Sequence, residues 1–138
     1  MWRLEGENIT KSFGGLSVVR KVNFVLSKGE IVGLIGPNGA GKTTLFNLIS
    51  GVYHSDIGRI RFNNNDITTL KPYQVCRQGI TRTFQIPRPF LNMSCAENII
   101  VSIIGREEKT KKKDEKKKET KKILKFVGIC FGINLSLN

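Results

Sequence analysis

At 138 residues, with 39% apolar and 25% charged side chains, the chain has the length of one ordinary domain and enough apolar material for a core, which excludes a fibrous or wholly disordered polypeptide. Its formal charge of +12 is uneven: residues 1–105 carry 12 Lys/Arg against 6 Asp/Glu, and residues 106–138 carry 11 against 5. Cys76, Cys95 and Cys130 are odd in number and include no CxxC pair, which argues against a disulfide framework or a zinc site and fits a reducing cytoplasm.

In chain order, Leu4 to Phe13 alternates loosely and ends at Gly14-Gly15, and Val18-Val19 and Val22 to Val25 are β-branched or aromatic runs before a Lys28-Gly29 turn. These read as short antiparallel strands. Ile31 to Ile35 is a continuous apolar run of the kind that forms a strand buried on both faces, and it empties into a glycine cluster. A helix is expected from Thr44, with Leu45, Leu48 and Ile49 on one face and Gly51 as its stop. Arg59 to Phe62 reads as a strand leading into the turn Asn63 to Asp66, since Asn and Asp tolerate left-handed backbone angles. Pro72 begins a short helix through Gln78, closed by Gly79, and Ile80 to Phe84 alternates as a further strand. Ser94 and Glu97 have capping-box spacing at the head of an apolar helix over Asn98 to Ile104. The N-terminus has no basic-then-apolar signal pattern, and no uncharged apolar stretch approaches the roughly 18 residues that a membrane span needs. Membrane association is therefore expected only through a partner.

The glycine cluster carries the chemistry. Gly36-Pro37-Asn38-Gly39-Ala40-Gly41-Lys42-Thr43 fits G-x-x-x-x-G-K-[ST] in full. Glycines let the backbone wrap phosphate oxygens with several N–H groups pointing inward, the lysine reaches the outer phosphates, and the threonine hydroxyl completes magnesium coordination. The helix that follows adds the positive end of its dipole. A chance match is expected on the order of 0.005 times in a chain of this length. The loop thus identifies a binding site for a nucleoside triphosphate, with ATP and Mg2+ as the expected ligands.

With the loop in place, residues 1 to about 104 resemble the N-terminal part of an ATP-binding-cassette (ABC) transporter ATPase domain. The loop with Thr44 is similar to that family's version, and Lys11-Ser12-Phe13-Gly14-Gly15 resembles its N-terminal segment that supplies an aromatic to adenine. Gly79 to Gln85 resembles its Q-loop strand, with Gln85 lying 43 residues after Lys42, and Asn92 to Asn98 resembles its next helix start. The words Arg82-Thr83-Phe84-Gln85, Leu91-Asn92-Met93-Ser94 and Phe13-Gly14-Gly15-Leu16 look most like the ATPase subunits of branched-chain amino acid importers. The resemblance implies adenine stacking on Phe13, where the residues alone also allow a core aromatic at a strand end. It implies that Gln85 helps to hold magnesium and the attacking water, where the residues alone also allow a polar strand cap. Thr44 would meet the α-phosphate or serve simply as a second helix-start residue. Lys42 and Gln85 are thus the expected catalytic positions, Thr43 and Gln85 the metal positions, and Phe13 with Gly36 to Thr44 the nucleotide positions.

The chain also departs from the pattern. The family's magnesium-site aspartate and catalytic glutamate on a second buried strand, its serine-glycine-glycine signature and its switch histidine have no match. The sole Asp-Glu pair, Asp114-Glu115, follows three lysines, and the sole histidine, His54, lies in a polar turn. The expectation is a C-terminally truncated or disrupted gene product, or one whose missing half is supplied elsewhere. The expected fold is α/β: a parallel P-loop core with a small antiparallel β subdomain over residues 1–104, a lysine-rich helical segment over 105–127, and a frayed tail over 128–138. Glu107-Lys111, Glu108-Lys112 and Asp114-Lys118 have the favourable i, i+4 spacing, so a solvated helix face accounts for the charge; an anionic-surface arm is the rival, and nucleic acid is not an expected partner. The implied partners are transmembrane permease subunits, met from the cytoplasmic face of the membrane, and a second ABC ATPase domain. The implied function is ATP binding, and in the parent family hydrolysis, to drive import of branched-chain amino acids. The alternatives are a catalytically inactive nucleotide-binding fragment or an ABC subunit with another cargo.

Overall fold

The computed structural model describes residues 3–84, 86, 88–106 and 118–123. It divides into two compact units, Met1–Arg82 and Thr83–Asn138, each taken here by itself.

The first unit is built on a four-stranded antiparallel sheet. β1 (Arg3–Phe13) and β2 (Leu16–Ser27) form a long hairpin, β3 (Ile57–Phe62) pairs with the other edge of β1, and β4 (Asn65–Asp66) closes the order β2-β1-β3-β4. Each hairpin turn has the residues its geometry requires. Gly14 and Gly15 both have positive φ, as do Asn63 and Asn64, which matches the two-residue turns whose twist follows that of the strands. Asn63 also doubles as a strand partner, accepting from the Arg3 N–H at 3.0 Å through Oδ1 and donating its own N–H to the Arg3 carbonyl at 2.9 Å.

β1 carries a bulge that decides which side chains enter the core. Leu4 is buried at an even position and Ile9 at an odd one, so the inward parity switches between them. The switch occurs where the pairing of β1 with β2 slips between Gly6 and Ile9, with Asn8 at φ +51° and its N–H held by Asn23 Oδ1 at 2.8 Å. Leu4, Ile9, Val19, Ile60 and Phe62 from the sheet then pack with Leu45 and Leu48 of α1 (Lys42–Ile49), Ile67, and Val75 of α2 (Pro72–Arg77). Full burial of a side chain such as Leu48 stabilises by roughly 1.5–3 kcal/mol, so this contact anchors α1. The helix stops where expected: Ser50 Oγ donates to the Phe46 carbonyl at 2.8 Å, and Gly51 follows at φ +74°. α2 begins on Pro72 and is followed by Gly79 at φ +103°.

Two expected strands do not form. Ile31 to Ile35 and Ile80 to Phe84 have no strand structure, and Ile31 and Ile35 are 100% and 95% exposed. The reason is pairing. β2 ends at Ser27, where the Glu30 side chain accepts the Ser27 N–H at 2.6 Å in a turn, and no described strand lies beside residues 31–35 to take their backbone groups. An apolar run signals a strand with neighbours and covering layers, and without them its backbone stays with water. The described sheet is accordingly the antiparallel part of the expected fold.

In the second unit, α3 (Cys95–Arg106) starts on the expected capping box. The Ser94 N–H donates to Glu97 Oε2 at 2.7 Å, and the Glu97 N–H donates to Ser94 Oγ at 3.3 Å. Asn98 binds the approach to the helix, accepting the Phe90 N–H at 2.8 Å and donating to the Phe90 and Met93 carbonyls. Residues 118–123 are helical, with Thr120 buried. The lysine pairs at 107–112 and most of the lysine-rich segment, Cys130 and the expected tail at 128–138 lie outside the described residues. No described helix is long and apolar enough to cross a membrane.

Candidate functional site

Gly36 to Gly41 forms an exposed loop that turns into α1. The Ala40 N–H donates to the Pro37 carbonyl at 3.3 Å, and Gly39 and Gly41 take φ of +84° and +83°. Gly41 is the N-cap, and its carbonyl accepts the first helical bond from the Leu45 N–H at 2.9 Å. A Cβ on Gly41 would lie 2.6 Å from the Val18 carbonyl oxygen, so the helix start presses against β2 with no room for a side chain. No side chain caps the helix and no acidic residue lies in its first turn. Its leading N–H groups therefore keep their positive end without compensation, as an anion would need.

Lys42 returns over the loop, and its Nζ donates to the Gly36 and Pro37 carbonyls, each at 2.6 Å. These bonds close a ring between the first helical residue and the start of the loop. Thr43 is exposed beside it, and Thr44 is half-buried one residue on. The Thr43 hydroxyl makes no hydrogen bond with a described residue, and no group of three or more His, Cys, Asp or Glu among the described residues could hold an ion by itself. The donor set thus suits a magnesium ion that brings phosphate oxygens and water as its other ligands, with Thr43 adding one oxygen. Gln85 lies outside the described residues.

Phe13 ends β1 and is 40% exposed. It makes an edge contact with Tyr53, ring centroids 5.2 Å apart and planes at 69°, and the Lys11 ammonium lies 5.5 Å from its centroid. Lys11 also donates to Asp56 Oδ1 at 2.6 Å, and the Ser12 N–H donates to Asp56 Oδ2 at 2.7 Å. These two donors, Lys11 first, hold the Asp56 carboxyl below its ordinary pKa. Sequence reasoning missed Tyr53 and Asp56, since a polar turn after Gly51 carries no pattern that marks either. His54, expected as a solvated turn residue, is exposed, with Nδ1 3.3 Å from the Thr68 carbonyl. Arg82, which the sequence marks as the first residue of Arg82-Thr83-Phe84-Gln85, donates from its guanidinium to Asn47 Oδ1 on α1.

A glycine loop that runs into a helix N-terminus and is closed by the lysine of G-x-x-x-x-G-K-[ST] is the arrangement of phosphate-loop nucleotide-binding proteins. The chain belongs to the ABC transporter family, whose profile matches residues 19–135. It is 43% identical over 106 residues to the probable branched-chain amino acid transport ATP-binding protein LivG of Archaeoglobus fulgidus, which is 77% of this chain and 41% of that protein. It is 47% identical over 90 residues to the high-affinity branched-chain amino acid transport ATP-binding protein LivG of Escherichia coli K12, 65% of this chain and 35% of that protein. Among solved structures, the ADP conformation of an ATP-binding cassette of an ABC transporter superposes with a TM-score of 0.78 at 37% identity, covering 94% of this chain and 55% of that one. A dimeric bacterial ABC transporter cassette, at 23% identity and a TM-score of 0.77, shares the fold. The chain spans less than half the length of the two transport proteins.

Proposed function

We propose that the chain binds MgATP through Gly36 to Thr44 and belongs to the ATP-binding subunit of an ABC importer for branched-chain amino acids. The observation that carries the reading is the loop itself: positive-φ glycines, an uncapped helix N-terminus free of acidic residues, and the Lys42 ammonium closing the loop. In this reading the loop amides and Lys42 surround the β- and γ-phosphates, Thr44 meets the α-phosphate, and Phe13 stacks on adenine. Magnesium held by Thr43 and phosphate oxygens would neutralise charge on the phosphates, and Gln85 would orient water. The cargo is supported by the relatives, which are branched-chain amino acid transport proteins. The same reading assigns residues 1–104 to the N-terminal part of the ATP-binding domain, places the chain on the cytoplasmic face of the membrane against permease subunits, and pairs it with a second ATPase domain. Titration calorimetry of the 138-residue chain with MgATP tests it. Saturable binding at one site supports the reading, and no heat of binding at millimolar nucleotide rejects it.

A further inference from the structure

We infer that Tyr53 and Asp56 are positioning residues for base recognition: together they hold the Phe13 ring in place as a stacking platform and tie it to the phosphate-loop helix. The inference rests on the reading of Phe13 as the aromatic that meets the base.

A 40% exposed phenylalanine at a strand end next to a glycine-glycine turn would by itself sample several rotamers, and ordering it would count against each binding event. Two arrangements remove that freedom. The Tyr53 and Phe13 rings meet at 5.2 Å between centroids, in the T-shaped geometry that aromatic quadrupoles favour, and Lys11 lies 5.5 Å from the Phe13 ring centroid. The backbone leading into Phe13 is held just as closely by one residue. Asp56 takes the Lys11 ammonium on one carboxylate oxygen and the Ser12 N–H on the other, while its own N–H donates to the Thr10 carbonyl at 2.9 Å. Three successive residues before Phe13 are thus bonded to Asp56.

The segment that supplies both residues starts on α1. The Val52 and Tyr53 N–H groups donate to the Asn47 carbonyl at 2.9 and 3.2 Å, within the C-terminal turn of the helix whose N-terminus carries the phosphate loop. A continuous set of bonds therefore runs from α1 through Tyr53 and Asp56 to Phe13. Its consequence is selective: loss of Tyr53 or Asp56 reduces affinity that depends on the base and leaves the phosphate contribution intact.

The test compares MgATP with inorganic triphosphate on the full chain carrying Phe13→Ala, Tyr53→Ala, Tyr53→Phe or Asp56→Ala, with a melting curve for each. Tyr53→Ala is expected to weaken MgATP about 2- to 10-fold, the scale of an edge-to-face aromatic pair, and to leave triphosphate unchanged. Tyr53→Phe keeps the ring edge and is expected to restore affinity. Asp56→Ala should give a base-selective loss like that of Tyr53→Ala. Equal losses for MgATP and triphosphate, or none, would show that both residues serve stability alone and would overturn the inference. If Phe13→Ala is base-selective while Tyr53→Ala is not, the positioning role falls and the reading of Phe13 stands. If Phe13→Ala itself costs MgATP no more than triphosphate, the reading of Phe13 falls and the inference with it.

Discussion

Replacing Lys42 by alanine separates binding from folding. In the free chain its ammonium makes two bonds of 2.6 Å to the Gly36 and Pro37 carbonyls, on an exposed loop where water can replace them. Their loss should change stability by under about 1 kcal/mol, the range of a net exposed hydrogen bond. Binding loses far more, because no other lysine or arginine lies within Gly36 to Thr44 to face the outer phosphates. A hydrogen bond to a charged partner contributes about 1.5–3 kcal/mol, which is roughly a 10- to 150-fold weaker Kd. With nucleotide at a hundred times the parent Kd, the parent gains about 2.7 kcal/mol, whereas a variant weakened a hundredfold gains about 0.4 kcal/mol. For a domain of this size that is roughly a 10 °C rise in Tm against about 1 or 2 °C. Thermal melting with and without MgATP reads both quantities from one preparation. An alanine variant that melts like the parent without nucleotide and rises as far as the parent with it would refute the phosphate-loop assignment.

The two left-handed loop glycines should differ under substitution. Gly39→Ala meets no atom within 4 Å and suffers only its positive φ, about 1–2 kcal/mol, whereas Gly41→Ala also drives a Cβ against the Val18 carbonyl and should lose roughly 2–4 kcal/mol in urea unfolding; equal losses would mean that α1 does not press on β2. Asp56 should titrate below an ordinary aspartate by NMR, so its contribution to stability is present in full above the ordinary aspartate pKa and is lost as pH falls through the lowered value; Lys11→Met should move the titration back up, and no movement would place the cause elsewhere. The isolated chain should release phosphate from MgATP well below about 1 s⁻¹, because its residues include no match to the aspartate-glutamate strand expected to supply a general base, a function that contributes 10²- to 10⁴-fold. Turnover at that rate, absent from a Lys42→Ala control, would require a base not identified among these residues.

What the sequence made legible was mostly local. The turns at Gly14-Gly15 and Asn63-Asn64, the stop at Gly51, Pro72 at the head of α2 and the Ser94-Glu97 capping box each depend on a few neighbouring residues, and each is found where the residue chemistry placed it. The loop was legible for the same reason, since its motif specifies glycines, a lysine and a threonine within one turn of backbone. Ile31 to Ile35 misled because an apolar run reports what a segment would do if covered, and coverage is a property of residues distant in sequence. Tyr53 and Asp56 were illegible for a related reason: their partners Phe13, Lys11 and Ser12 lie about 40 residues away, across a bulged sheet whose register no short pattern specifies.

The same division runs through the candidate site. The half proposed for phosphate is shaped by local contacts, two positive-φ glycines, the Pro37–Ala40 turn and the Lys42 ring, while Leu45 and Leu48 anchor its helix in the core. It keeps this geometry although residues 31–35 before it form no strand. The half proposed for the base depends on residues more distant in sequence, since Phe13 is contacted by residues that converge from β1 and from the segment after α1. On the proposed reading, recognition of the base draws on β1 and the segment after α1, whereas the phosphate contacts come from one turn and the helix that the core holds in place.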